Sequence, residues 1–568
     1  MSFSIPQLRS VPAADLIRIA AAFCLCVLAS PAHSQETVIV VDGVVPEGEE
    51  THFFLPFVVP AGIAEIEVRH DDLSDANILD WGLDDPNGFR GWGGGNVEPA
   101  VVGVEAASRS YVPGPIPPGT WEVVVGKAKV REFPARYSVQ ITLRTAPTLA
   151  PQTERRPYAP PPPLEVGARW YAGDFHVHSR ESGDARPSIA EVLEFAAERG
   201  MDFVLLSEHN TNSQLTLYDD AQAAHPDVLL LPGAEFTTYA GHASAIGTTE
   251  WVDHRIGVRG ATIEDAIRDM HDQGGLISIN HPLLHVGDLC IGCGWDHVVD
   301  PLDIDGVEIQ SGVIPGIPFW EDLVAQGSHA AAIGGSDDHQ AGQDTGPLAA
   351  AIGMPTTMVF ANELSVEAIL QGVRDARTVV KIGGPEGPMI DTELTGQRNG
   401  DTVLAAESTL SATVTGGSGT TLRVIRNGEV VAEVAVTGDP FVHEFETAAP
   451  ASGEDRYRHE LAAGPNRLLA VTSYVWLRRP EEPTITPTAT AEPTPTATRD
   501  GGGECVGDCD GSNGVGVTEL VVGVDISLGT AELDRCPSFD RDESGRVEID
   551  ELVAGVDAAL NGCAQALR

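Results

Sequence analysis

The sequence predicts a multidomain protein in which a central α/β domain lies between two β-sandwich regions and is followed by a small helical tail. Three observations predict it. Short runs of alternating apolar and polar residues flank the middle of the chain. Strand-like and helix-like runs alternate across residues 168–390. Near the C-terminus Glu519-Leu-Val-Val-Gly-Val-Asp returns, 32 residues on, as Glu551-Leu-Val-Ala-Gly-Val-Asp. At 568 residues the chain has room for three to five domains of about 100–200 residues each.

Residues 1–34 read as a secretory signal peptide. Arg9 and Arg18 precede the uncharged run Ile19–Ala29, and Ser30–Ser34 offers a small-residue cleavage site. That run is too short for a membrane span, which needs about 20 apolar residues. No other stretch qualifies, so the expectation is a soluble, secreted or periplasmic chain with no membrane span. Residues 35–145 alternate through Thr37–Val41, Ala64–Val68, Trp121–Val125 and Tyr137–Leu143, the pattern of a β-sandwich domain. Residues 146–167 are a proline-rich linker, stiff and extended.

Residues 168–390 form the α/β domain. Its expected strands are Asp202–Ser207, Val228–Pro232, Leu276–Asn280, Gly306–Gln310 and Ala331–Gly335. Its expected helices are Ser188–Arg199, Ile263–Gln273, Trp320–Gln326 and Ser365–Arg374. Such alternation argues for an α/β barrel or an open sheet. Residues 391–478 return to β alternation, with an Asn427-Gly428 hairpin turn, and predict a second β-sandwich domain. Residues 479–503 are a Pro/Thr-rich linker between secreted modules, and residues 504–568 are the repeat tail.

Charge narrows the partners. With 35 Lys+Arg against 83 Asp+Glu, the net charge is −48, a surface that repels phosphate backbones, so no nucleic acid is expected. Two of the eight cysteines, Cys24 and Cys26, lie in the signal segment. The other six suit an oxidising compartment: Cys290 with Cys293, and two bridges among Cys505, Cys509, Cys536 and Cys563. Half of a zinc site, or a redox pair, is the other reading of the CxxC at 290–293.

The chemistry is concentrated in the α/β domain. It opens with Asp174-Phe-His176-Val-His178. Residues two apart on a strand share a face, so His176 and His178 can hold one metal ion together. Near the domain's end, Gly334-Gly-Ser-Asp337-Asp-His339 repeats that spacing with Asp337 and His339. Between them stand Asp184, His209, Glu235, His242 and His281, most just past the C-terminal end of an expected strand. That edge is where α/β folds assemble their sites. Six imidazoles and three carboxylates suit zinc, manganese or iron. The serine-hydrolase motif GxSxG is absent from the sequence. Arg180 and Arg186 flank the first motif and could clamp an anionic substrate; the bland alternative is an ordinary surface ion pair.

The ordered motifs HVH, SEHN, GAEF, GHASAIG, INHP and GGSDDH resemble the polymerase-and-histidinol-phosphatase (PHP) metallohydrolase superfamily, and within it the carbaryl-hydrolase-like branch. The resemblance covers roughly residues 170–385. It implies a distorted (β/α)7 barrel with two or three divalent metal ions. His176, His178 and Asp337 would bind the first, with Glu235 bridging to a second completed by His242 and His281. Asp184, His209 and His339 would form the third. Glu208 and Asp338 stand where the family often has Asp and Ser. The expected catalytic group is Glu235 and Asp337, with Arg180 added from its place beside the first motif. The expected function is a secreted hydrolase in which metal-activated hydroxide attacks a small-molecule phosphoester. Carboxyl or carbamate ester hydrolysis is the alternative; a cell-surface binding protein with structural metals is the reading from another class.

The tail loops read Asp508-x-Asp510-x-Ser512-Asn513-x5-Glu519 and Asp540-x-Asp542-x-Ser544-Gly545-x5-Glu551. This is the EF-hand calcium pattern with Ser in the fifth position. The pair resembles dockerin-type and EF-hand repeats, which implies calcium as a ligand and a protein or cell-surface partner for the module.

Overall fold

The computed structural model describes residues 36–561 except 75, 344, 345, 347, 481–504, 513, 542 and 543. The expected signal peptide, nearly all of the second linker, Asn513, Asp542 and Cys563 fall outside the described residues. The chain divides into two compact units, with the division between Glu481 and Glu482.

In the first unit, residues 36–144 form two four-stranded antiparallel sheets. One orders Glu36–Val44, Arg136–Arg144, Glu65–Asp71 and Ala100–Gly103; the other orders His52–Val59, Gly119–Lys129, Ile78–Asp85 and Gly88–Gly94. The alternation seen in sequence becomes a shared core: Ile66, Val139 and Ile141 of the first sheet meet Trp81, Leu83 and Trp121 of the second.

The next strand, Glu165–Val177, carries the HVH motif. It pairs in parallel with Phe203–Leu206, which pairs in parallel with Leu229–Leu231. Its other edge takes Thr356–Leu364, antiparallel. A separate sheet runs Gly233–Thr238, Gly241–Ile246, Leu276–Ile279 and Gly306–Ser311, with Ala331–Gly335 also on Gly306–Ser311. Five α-helices punctuate this region: Ile189–Glu198, Tyr218–Ala224, Ile263–Asp272, Ile317–Ala325 and Val366–Arg374. The first is set by a capping box between Ser188 and Glu191.

The expected (β/α)7 barrel is not what the strands make. Among the described residues no sheet closes. Two sheets abut instead, linked by single bridges at Val177–Asp338 and His209–Glu235. The physical reason lies at residues 233–246. Only Tyr239 and Ala240 separate two strands there, too few for the crossover helix that a parallel neighbour requires. The pair is therefore an antiparallel hairpin.

A second departure concerns residue 390, where the sequence suggested a domain boundary. Thr378–Lys381 pairs with Leu468–Thr472, and that sheet continues through Glu454–Ala462, Thr421–Arg426 and Glu429–Ala435. The core crosses as well: Trp320 and Val380 share one apolar cluster with Val471, Tyr474 and Trp476. A further sheet of Gln397–Arg398, Met389–Leu394, Glu407–Thr415 and Phe441–Ala448 covers it. The Asn427-Gly428 turn has φ of 52° and 85°, the left-handed pair such a hairpin needs.

In the second unit, the helices Val517–Ser527 and Ile549–Asn561 flank the buried ring of Phe539. Gly523 and Gly555, the glycines of the two repeats, let it fit. A Cβ at either would lie 2.5–2.6 Å from the ring. Cys509 is bonded to Cys536, and Cys505 is disulfide-bonded too. Phe539→Ala should therefore lower the stability of this unit by about 3–5 kcal/mol, read as a lowered tail transition in calorimetry of the full chain.

The first β region docks on the central one through His52, Trp92, Tyr239 and His254. Burial first, then Arg255, holds the His52 imidazole down to about 4. The folded state therefore keeps it neutral while the unfolded chain takes up a proton below about 6.5. Its stabilising contribution is complete above pH 6.5 and is lost as pH falls toward 4, about 3 kcal/mol in all. Urea midpoints measured from pH 7 to pH 4 should fall, and fall less in His52→Gln.

Candidate metal centre

All nine sequence-predicted ligands converge. His176 and His178 end the strand Glu165–Val177 and its exit; their ring centroids are 5.1 Å apart. Asp337 and His339 follow the strand Ala331–Gly335, and Asp337 Oδ1 lies 3.3 Å from His176 Nε2 and 3.2 Å from His178 Nε2. Asp337 has φ of 57° and His281 has φ of 27°, left-handed turns that aim both side chains back across the strand ends.

Glu235 is the hub. It sits fully buried in the hairpin strand Gly233–Thr238. Its carboxylate oxygens lie 3.2 Å from His176, 3.8 Å from His178, 2.7 Å from His209, 3.3 Å from His242 and 3.3 Å from His281. Asp184 stands at the mouth, its side chain 55% exposed, with Oδ2 3.3 Å from His209 and 3.4 Å from His339. Four groupings place their ligand atoms within 4.8 Å of one another: His176, His178 and Asp337; His176, Glu235 and His281; His178, His209 and His339; and His242, His281 and Cys293.

The cluster has the electrostatics of a cation site. Burial would raise the Glu235 carboxyl, but His176, His209 and His242 hold it well below the usual range. Burial works against charge on His176, and Asp337, Glu235 and Glu308 outweigh it. His178 goes the other way, down to about 3, through burial and the neighbouring His339. The buried Nε2 atoms of His176 and His178 and both ring nitrogens of His242 have no hydrogen-bond partner. Orphaned buried imidazole nitrogens facing carboxylates fit divalent ions, and a nitrogen and oxygen donor set fits zinc, manganese or iron.

A supporting layer fixes the rings. His176 Nδ1 meets Glu308 Oε1 at 2.9 Å, and the other Glu308 oxygen accepts the His281 backbone N–H at 2.8 Å. His178 Nδ1 meets Ser182 Oγ, His209 Nδ1 meets Thr237 Oγ1, and His281 Nδ1 meets the Cys293 carbonyl. Asn280 donates to Glu235 at 3.0 Å. Gly335 makes room: a Cβ there would lie 2.3 Å from Glu308 Oε1 and 2.4 Å from His176 Cβ. Asp174, buried and pushed up to about 6, accepts three backbone N–H groups from His176, Ser336 and Gly353. Glu208 is buried under Ser179 and pushed up to about 8 by burial. The sequence reading missed Glu308. Its one signal was a carboxylate inside the apolar run Gly306-Val-Glu-Ile-Gln.

Arg180 does not join the cluster. It is exposed and lines a different cleft with Arg109 and Arg155, because Ser182 is the residue of that turn which faces inward. Arg186 is exposed as well. A cleft of about 410 Å³ opens beside the centre, walled by Lys129, Tyr239, His285 and the loop carrying Cys290 and Cys293.

No family model and no curated protein matches the chain. Among solved structures, it is similar to a two-domain protein containing a predicted PHP-like metal-dependent phosphoesterase from Bacteroides vulgatus, at 20% identity over 56% of this chain and 98% of that one, with a TM-score of 0.32. It is also similar to the CARDB domain of a Pyrococcus furiosus protein, at 20% identity over 16% of this chain and 98% of that one, with a TM-score of 0.13.

Glu308→Gln keeps the shape but weakens the acceptor that orients His176. It should lower metal affinity by about 10–100-fold, measured by competition with a chromogenic chelator, while the melting temperature without metal changes little.

Proposed function

We propose that this chain is a metal-dependent hydrolase of the PHP type whose substrate is a phosphoester. The observation that carries the reading is the buried Glu235 carboxylate reaching five imidazoles within 3.8 Å. The ordered motifs support it, since each expected ligand lies in the same cluster. His176, His178 and Asp337 would hold one ion, Glu235 with His242 and His281 a second, and Asp184 with His209 and His339 a third. Divalent ions bound there would supply an acidified water near neutral pH and positive charge for the developing ester oxyanion. The protein's own residues set that geometry. Glu308 and Ser182 lock the imidazole tautomers, Asn280 orients Glu235, and the half-exposed Asp184 leaves the mouth side open. An open mouth favours an enzyme over a binding protein with closed structural sites. Carboxyl or carbamate esters remain the second substrate class, since their carbonyl carbon takes the same attack.

The discriminating experiment is metal analysis of the purified chain with a panel of an aryl phosphomonoester, an aryl phosphodiester, an aryl carboxylester and an aryl methylcarbamate. We expect phosphoester turnover that chelation abolishes and zinc, manganese or iron restores. His178→Ala should lose at least 100-fold in turnover while keeping its far-ultraviolet dichroism. Turnover that survives full metal removal rejects the reading.

For the tail we infer calcium binding. Asp508, Asp510 and Glu519 bring their oxygens within 4.8 Å of one another. The second loop supports the reading by equivalence. Glu519 accepts the Cys509 and Gly516 backbone N–H groups, and Glu551 accepts those of Arg541 and Glu548. Asp540 accepts the Ser544 and Gly545 N–H groups. A partner surface is supported by matching apolar stripes, Val517, Val521, Val524 and Leu528 on one helix and Ile549, Val553, Val556 and Leu560 on the other, all exposed. Calcium should raise the tail transition of the full chain, and a transition that chelator leaves unmoved rejects it.

A further inference from the structure

The CxxC pair touches the centre. Cys290 and Cys293 are disulfide-bonded. Cys293 is 1% exposed, and its sulfur lies within 4.8 Å of a ring nitrogen of His242 and one of His281. His242 is 4% exposed and neither of its ring nitrogens has a hydrogen-bond partner. His281 spends Nδ1 on the Cys293 carbonyl at 3.0 Å, which turns Nε2 toward Glu235 at 3.3 Å. Both cysteines line the 410 Å³ cleft, but only Cys290 is partly exposed there.

We propose that this disulfide is a redox gate on the metal centre: once reduced, the Cys293 thiolate joins His242 and His281 as a ligand of the second ion. The inference rests on the metal-centre reading. A dithiol reductant is the required co-reactant. One of its thiolates attacks the accessible Cys290 sulfur, the S–S bond breaks, and its electron pair leaves on Cys293. The second thiol of the reductant then displaces Cys290 as a thiol and departs as a cyclic disulfide, so two electrons pass to the protein. Burial alone disfavours the Cys293 thiolate, but a cation held by His242 and His281 would stabilise it as leaving group. With Glu235, the reduced set is two imidazoles, one carboxylate and one thiolate. Four protein ligands make a closed site, the arrangement of structural rather than catalytic zinc, and the thiolate favours softer ions. The oxidised chain is then the active form, suited to an oxidising compartment.

The test loads the full chain with cobalt(II) and reads the ultraviolet sulfur-to-cobalt charge-transfer band alongside cobalt per chain. Cys290→Ser frees Cys293 without reductant, so the tail disulfides stay intact. We expect no band in the wild type, a band in Cys290→Ser, and none in Cys290→Ser/Cys293→Ser at equal cobalt content. Dithiothreitol should bring up the same band in the wild type above that of Cys293→Ser treated alike, which serves if Cys290→Ser folds poorly. Full cobalt content with no thiolate band in either the variant or the reduced wild type overturns the gate and leaves the metal centre standing. A wild type that binds no cobalt overturns both.

Discussion

A carboxylate buried without solvent needs positive charge around it, and Glu235 meets that need with imidazoles instead of arginines. An arginine would neutralise it permanently and fill the space. Imidazoles neutralise it only as far as they bind a proton or a metal ion, so the cluster stays responsive to what enters. The orphaned nitrogens of His176, His178 and His242 are the cost of that choice. Buried polar atoms left unpaired are destabilising by about 1–3 kcal/mol each, and a divalent ion removes several such penalties at once. The rest of the central region follows from holding these rings still. Glu308 spends its two oxygens on the His176 ring and the His281 backbone, Asn280 ties Glu235 to Ser244, and Gly335 is small because Glu308 and His176 occupy the space where its side chain would be.

The ligand set was legible in the sequence because its physics is local. His176 with His178 declare themselves by the two-residue period of an extended strand, which puts both side chains on one face without any knowledge of the fold; Asp337 with His339 share that spacing but lie past the strand Ala331–Gly335, where the left-handed backbone of Asp337 does the aiming instead. Glu235, His209 and His281 were legible through position, each just past an apolar run. What the sequence could not show was anything set by partners distant along the chain. Glu308 acts on His176 across 132 residues, and no local pattern connects them. The failure of the barrel to close, and the passage of one sheet across residue 390 through Thr378–Lys381 and Leu468–Thr472, depend on which strand edges meet. Alternation reports that a strand exists and which face is apolar; it carries no information on the neighbour it selects. Arg180 illustrates the same limit at side-chain scale. It stands beside the right motif, but a tight turn sends Ser182 inward and leaves the guanidinium outside.

The turn that carries Asp184 is held from outside the central region. Ser110 of the first β region donates its hydroxyl to the Glu181 carbonyl at 2.7 Å, and its backbone N–H reaches the Glu181 carboxylate. Arg109 donates to the Ala185 carbonyl at 3.1 Å. Gly183, at φ of 89°, comes so close that a Cβ would lie 2.9 Å from the Gly93 carbonyl. The opposite wall is held in the same way. Tyr239, in the turn between Glu235 and His242, donates to Asp80 at 2.7 Å, and Gly126 leaves its hydroxyl the room to do so. A half-exposed ligand such as Asp184 gains little from burial, so its position depends on the rigidity of the turn it stands on. The first β region supplies that rigidity on both sides of the mouth. It is therefore part of what holds the His and carboxylate cluster in place, and its separation in sequence from the HVH motif by a proline-rich stretch conceals a physical dependence of one on the other.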